Sequence, residues 1–244
     1  KIIQSLESNE MLENTLFMFL SDNGGCAEEL DSSLEQPLRD IRALPRSTHA
    51  GDPVRYGNSP EDLPGSEETY QSYGLPWANL SNTPFRLYKH WVHEGGIATP
   101  FIVHWPRGIV DAGGLRHVPA QLPDIMATCL HVSGASYPRE RRGVPVTPLE
   151  GSDLSGSFDG RSVDREYLAW EHEGNSALRV DQWKLVRKYP GEWELYDMTR
   201  DRSETVNLAG TYPDITASLE SRYHDWARRC GVRPWEEVLK RLRS

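Results

Sequence analysis

The chain has 244 residues, 37% of them hydrophobic and 26% charged, with a formal net charge of −9. That length and apolar content support a core in one large domain or two small ones and exclude a disordered chain. The acidic balance excludes the concentrated basic surface that nucleic-acid binding requires, and no run approaches the roughly 18 apolar residues of a membrane span.

In chain order, residues 2–13 read as a helix with Ile3, Leu6 and Leu12 loosely on one side. "NTLFMFL", from Asn14 to Leu20, is a continuous apolar run of the kind expected of a strand buried on both faces in a parallel sheet. It ends at Ser-Asp-Asn-Gly-Gly. Residues 26–75 are rich in Glu, Asp, Ser, Pro and Gly, and a segment of that length inside a compact domain predicts a lid or variable covering loop. A second apolar strand, "TPFIVHW", spans Thr99 to Trp105. Leu122, Ile125, Met126, Cys129 and Leu130 then recur at helical spacing, with Gly134 as a stop and Cys129 as a small core residue. Strand, crossover and helix in this order predict an α/β fold.

The texture changes near Val163. "REYLAWEHE", "NSALRVDQWKLVRKY" and "EWELYDM" are short, aromatic-rich and separated by Gly or Pro, which predicts antiparallel strands. Leu219, Tyr223 and Trp226 follow at helical spacing, and the basic residues from Arg228 to Arg243, interleaved with acids, read as a solvated helical face. The expected organisation is an α/β core over residues 1–163 and a small C-terminal α+β subdomain over 164–244. Cys26, Cys129 and Cys230 are widely spaced, and neither a disulfide framework nor a zinc site is indicated. The chain opens on Lys1, so the lack of a signal peptide leaves localisation open.

Two stretches carry candidate chemistry. Asp22 and Asn23 offer hard oxygen ligands just beyond a buried strand, where open α/β sheets place their sites. Asn-Gly is also a common tight-turn pair, and alone it reads more readily as a turn. Lys89 offers a compact positive charge suited to an anionic oxygen, five residues before Glu94-Gly95-Gly96. By itself it reads as an exposed lysine. His93 would share its face if the segment were helical, and a histidine in such surroundings is more often a packing residue.

Taken together, Ser-Asp-Asn-Gly, then "NTPFRLYK", "EGGI" and "TPFIVHWP", resemble the C-terminal half of a type I, formylglycine-dependent sulfatase of the alkaline phosphatase superfamily. "QLPDIMATCLHVSGASYP", "TPLEGSDL", "LRVDQWKLV" and "WELYDMTRDRSETVNLA" resemble later segments of that family in the right order, so the resemblance covers essentially the whole chain. It implies a mainly parallel sheet with helices on both faces, and cleavage of an aryl or carbohydrate sulfate ester to sulfate and the alcohol or phenol. Asp22 and Asn23 match two ligands of the active-site divalent cation, with calcium as the expected ion. Lys89 matches the lysine that contacts sulfate, and His93 is a further pocket candidate without a secure role. Periplasmic or secreted location is what the family suggests.

The chain departs from the family in one large respect. The nucleophile is a formylglycine made from the first residue of Cys/Ser-x-Pro-x-Arg, and no such motif occurs in this sequence; the nearest match, "NTPFR", begins at Asn82. The nucleophile, further ligands and pocket residues are therefore expected from a missing N-terminal half, and the 244 residues alone are expected to be inactive. Hydrolysis of phosphate mono- or diesters on the same metal frame, or a non-catalytic fragment, are the alternatives.

Overall fold

A computed structural model describes residues 1–29 and 45–242. Residues 30–44 of the predicted covering segment, and Arg243 of the basic stretch, lie outside the described residues. Two units emerge: residues 1–22 with 100–168, and residues 23–99 with 169–244.

The first unit opens with helix α1 (Ile2–Ser8) and a 3₁₀ turn (Leu12–Asn14) leading into strand β1 (Phe17–Leu20). β1 pairs antiparallel with β4 (Phe101–His104), Phe17 opposite His104 and Leu20 opposite Phe101. The two apolar runs are thus strands, but they are not parallel to each other, and neither is buried on both faces. Each has a single strand neighbour among the described residues, so Phe19 and Ile102 stay 55% and 57% exposed.

Helix α4 (Leu122–Ser133) ends on Gly134 at φ 68°, the left-handed cap the sequence predicts. Its buried face is not the apolar one. Asp124, Ala127 and Thr128 are buried, while Leu122, Met126 and Cys129 are exposed, which corrects the core assignment of Cys129. The reason is hydrogen bonding. Asp124 accepts from the backbone N–H groups of Gln121 and Ser152 at 2.7 and 2.8 Å and from Arg165 at 2.6 Å, and the Thr128 hydroxyl accepts from the Leu154 N–H at 2.9 Å. Satisfied polar groups orient the helix here. Hairpin strands β5 (Glu140–Arg141) and β6 (Val144–Pro145) and the short helix α5 (Ser155–Phe158) complete the unit.

The second unit holds the short parallel pair β2 (Arg55–Tyr56) and β3 (Thr69–Tyr70), then helices α2 (Gly74–Asn82) and α3 (Glu94–Ile97). Its main element is a four-stranded sheet in the order β10-β9-β8-β7, formed by Leu168–His172, Asn175–Val180, Trp183–Arg187 and Glu194–Asp197 as β7 to β10; β7 begins at the unit boundary. β8, β9 and β10 pair antiparallel, as the sequence predicts. Helix α6 (Pro213–Cys230) and α7 (Trp235–Leu242) follow.

Strand alternation sorts this sheet into two faces. The register stacks Leu178, Leu185 and Leu195 on one face, all fully buried, with Ser176 on the same side accepting a hydrogen bond from Tyr223 of α6 at 2.9 Å. Each buried leucine contributes roughly 1.5–3 kcal/mol. The opposite face presents Ala177, Lys184, Val186, Glu194 and Tyr196; Ala177, Val186 and Tyr196 cluster with Val92 and Met198, and Ile97 packs against them.

Candidate functional site

The segment from Asn82 to Ile97 is laid over that second sheet face, and its geometry starts from four glycines. Gly24 donates from its backbone N–H to the Gly96 carbonyl at 2.9 Å, and Lys89 donates from its own to the Gly25 carbonyl at 3.0 Å. A β-carbon on Gly24 would lie 1.8 Å from the Gly95 carbonyl oxygen, and one on Gly96 would lie 1.9 Å from that of Trp91. The requirement at these glycines is close backbone approach rather than positive φ. Asn82, buried, adds a side-chain tie: its Oδ1 accepts from Gly25 N–H at 2.9 Å and its Nδ2 donates to the Leu87 carbonyl at 3.1 Å. Two sequence stretches some sixty residues apart thus become one backbone cluster.

The Lys89–His93 stretch is not helical. Leu87 and His90 take φ values of 65° and 96°, and helix α3 starts only at Glu94, so Lys89 and His93 do not share a helix face. Lys89 is exposed. His93 is fully buried, its Nε2 at 3.5 Å from Glu194 Oε2. Asp22 is exposed at the end of the first unit. Asn23, half-buried, donates from Nδ2 to the Gly24 carbonyl at 3.2 Å, which leaves Oδ1 as the atom suited to a hard cation.

Sequence reasoning missed the ionic network beneath this segment. Lys184 on β9 is fully buried, with its Nζ 3.0 Å from Glu94 and 2.8 Å from Glu204, both buried acids. Glu204 also accepts from the Glu94 backbone N–H at 2.9 Å, and Arg202 reaches Glu94 at 3.0 Å. Burial acts to raise the Glu94 pKa, but Lys184 and Arg202 outweigh it and hold the carboxyl below its usual range. A lysine inside the buried run "WKLV" was the available signal.

Beside it, Glu194 accepts from Tyr196 at 2.5 Å and Arg86 at 3.0 Å and faces His93. His93 first, then Tyr196 and Arg86, hold its carboxyl at about 2, against the opposing effect of burial. Burial and Glu194 together push the Tyr196 hydroxyl up. Because the folded pKa lies below the ordinary 4.5, the stability from Glu194 is complete above about pH 4.5 and is lost as pH falls towards about 2. Glu194→Gln should therefore flatten the dependence of unfolding free energy on pH across that window. Urea unfolding at several pH values checks this, and an unchanged slope would contradict the assignment.

Helices and sheets of mixed pairing, with the glycine-clasped Lys-x-x-x-x-Glu-Gly-Gly segment laid over one sheet face, define a mixed α/β protein. The chain belongs to the sulfatase family: the sulfatase family profile matches residues 1–135, and that of the N-sulphoglucosamine sulphohydrolase C-terminal region matches residues 85–228. An uncharacterized sulfatase of Schizosaccharomyces pombe is 30% identical over 95% of this chain and 41% of its own length. Human arylsulfatase K is 23% identical over 65% of this chain and 31% of its own length. A solved structure in complex with its substrate D-glucosamine-2-N,6-O-disulfate shares the fold at a TM-score of 0.58 and 16% identity, covering 96% of this chain and 38% of that one. The chain thus spans about two fifths or less of the length of these relatives. Among the described residues, no helix is long and apolar enough to cross a membrane.

Proposed function

We propose that the intact protein hydrolyses sulfate esters, with Asp22 and Asn23 as cation ligands and Lys89 as a contact to the sulfate oxygens. The observation that supports this most is the pair of backbone hydrogen bonds, Gly24 to Gly96 and Lys89 to Gly25, which ties the Asn-Gly-Gly turn to the lysine segment. The donors at the turn, a carboxylate and an amide oxygen, suit a hard divalent ion, calcium in this reading. Such an ion, when bound, supplies charge stabilisation for the sulfate oxygens. Lys89 adds a point charge to the same anion, and its exposed ammonium is free to reach one.

His93, buried against Glu194, acts in this reading through its neighbours as a positioning residue. Two oxygens are only part of the six to eight that calcium prefers. The remaining ligands and the formylglycine nucleophile come, in this proposal, from polypeptide preceding these residues. The same polypeptide would supply the further strands and helices of a mainly parallel sheet around β1 and β4, whose apolar residues are partly exposed. Residues 26–29 and 45–75, the described part of the predicted covering segment, would cover the leaving-group side.

The test is turnover of the intact protein on aryl and carbohydrate sulfates with phosphate mono- and diesters as controls. Lys89→Ala should lower kcat/KM on sulfate esters by about 10²-fold, the scale for losing one preorganised electrostatic contact. Lys89→Arg should rescue poorly, since a planar guanidinium does not replace a compact ammonium. Near-native kinetics for Lys89→Ala, or a preference for phosphate esters, would remove the proposal.

A further inference from the structure

A second cluster takes in His90, the residue after Lys89 in the same segment, and is not used by the site above. His90, His172 and Glu173 each present one ligand atom, and the three atoms lie within 4.8 Å of one another. His90 Nδ1 is 3.2 Å from Glu173 Oε2, and the two imidazole rings meet edge to face at 5.4 Å between centroids. We propose that these three residues form a binding site for a borderline transition-metal ion, zinc foremost, with a fourth position open to water.

The donor set argues for the ion class. Two neutral imidazoles and one carboxylate suit zinc, whereas calcium and magnesium prefer oxygen alone. Tetrahedral zinc with bonds of about 2.0–2.1 Å needs ligand atoms about 3.3 Å apart. The His90–Glu173 pair already has nearly that spacing, and a limit of 4.8 Å leaves about 1.5 Å of side-chain rotation for the remaining atom.

The backbone beneath the cluster is held in place. Asn175, 2% exposed, donates from Nδ2 to both the His90 carbonyl at 3.2 Å and the His172 carbonyl at 2.9 Å, and its Oδ1 accepts from the Tyr189 N–H at 3.0 Å. One buried amide therefore fixes the loop residue against the β7–β8 hairpin. Glu173 and Gly174, at φ 51° and 83°, make the tight turn that aligns the carboxylate beside His172, and His90 itself is held at φ 96°. Prior positioning of ligands is what raises a cluster of surface donors to a binding site. The cluster is chemically distinct from the Asp22 and Asn23 pair, so it does not depend on the sulfatase reading.

Zinc titration of the intact protein by calorimetry, in the presence of excess calcium, tests the proposal together with cobalt substitution read by visible absorption. The expected result is one zinc per chain, a tetrahedral cobalt spectrum, and a zinc-dependent rise in Tm. His172→Ala should weaken zinc binding by at least about 10-fold and abolish the Tm response, whereas Asp22→Ala should change neither. His172 is exposed, so its truncation leaves the fold intact, and the circular dichroism melt without zinc serves as the check. Absence of zinc uptake, displacement by calcium, or equal binding by His172→Ala would overturn the site.

Discussion

Asp22→Ala is expected to lower sulfate-ester turnover by the intact protein by about 10³-fold or more, because it removes the charged ligand of the proposed cation and with it several kcal/mol of transition-state stabilisation. Asn23→Asp separates charge from ligand count. It keeps an oxygen at the position but adds a negative charge facing an anionic substrate, so KM should rise even where the cation is retained. The decisive comparison is activity against calcium concentration. Asp22→Ala should require far more calcium for whatever turnover remains, and an unaltered calcium dependence with native kcat would show that Asp22 is only the end of a strand. The exposed position of Asp22 makes a folding defect an unattractive explanation for the loss.

The largest stability effect is expected at Lys184. Lys184→Met keeps most of the side-chain volume but leaves Glu94 and Glu204 facing each other in a buried space, both within 3.0 Å of the lost ammonium. Removing one partner from such a cluster costs about 3–5 kcal/mol, mainly as uncompensated buried charge. Combining Lys184→Met with Glu204→Gln should recover a substantial part, since only Glu94 then stays ionised and Arg202 still neutralises it. Urea unfolding of the single and double variants checks this cycle. A loss below about 1 kcal/mol for Lys184→Met would mean that the acids are protonated or solvated in the fold. Glu94 begins the helix that carries Gly95 and Gly96, so the same substitution should also loosen the clasp on Gly24 and depress activity beyond its effect on stability.

The elements most legible in the sequence were those with strong local patterns. The helix over Leu122–Ser133 and its Gly134 cap, and the antiparallel strands after residue 163, follow from spacing and turn residues that local chemistry dictates. The candidate site was legible as residue types: a carboxylate-amide pair before two glycines, and a lysine before Glu-Gly-Gly. Its geometry was not. The condition under which Lys89 and His93 would share a helix face is not met, because Leu87 and His90 take positive φ.

What the sequence by itself determined is the set of apolar runs, turn residues and family motifs, because these act over a few neighbouring residues through backbone sterics and side-chain period. Only the tertiary structure decided which face of each element is buried. Helix α4 turns Asp124 and Thr128 inward and leaves Met126 and Cys129 outside, since Arg165, Ser152 and Leu154, distant in the chain, satisfy the polar groups. Lys184 reads as a strand residue until Glu94 and Glu204 arrive from positions 90 residues before it and 20 after. Burial of charge depends on partners brought together by the fold, and a one-dimensional pattern contains the partners without their distances.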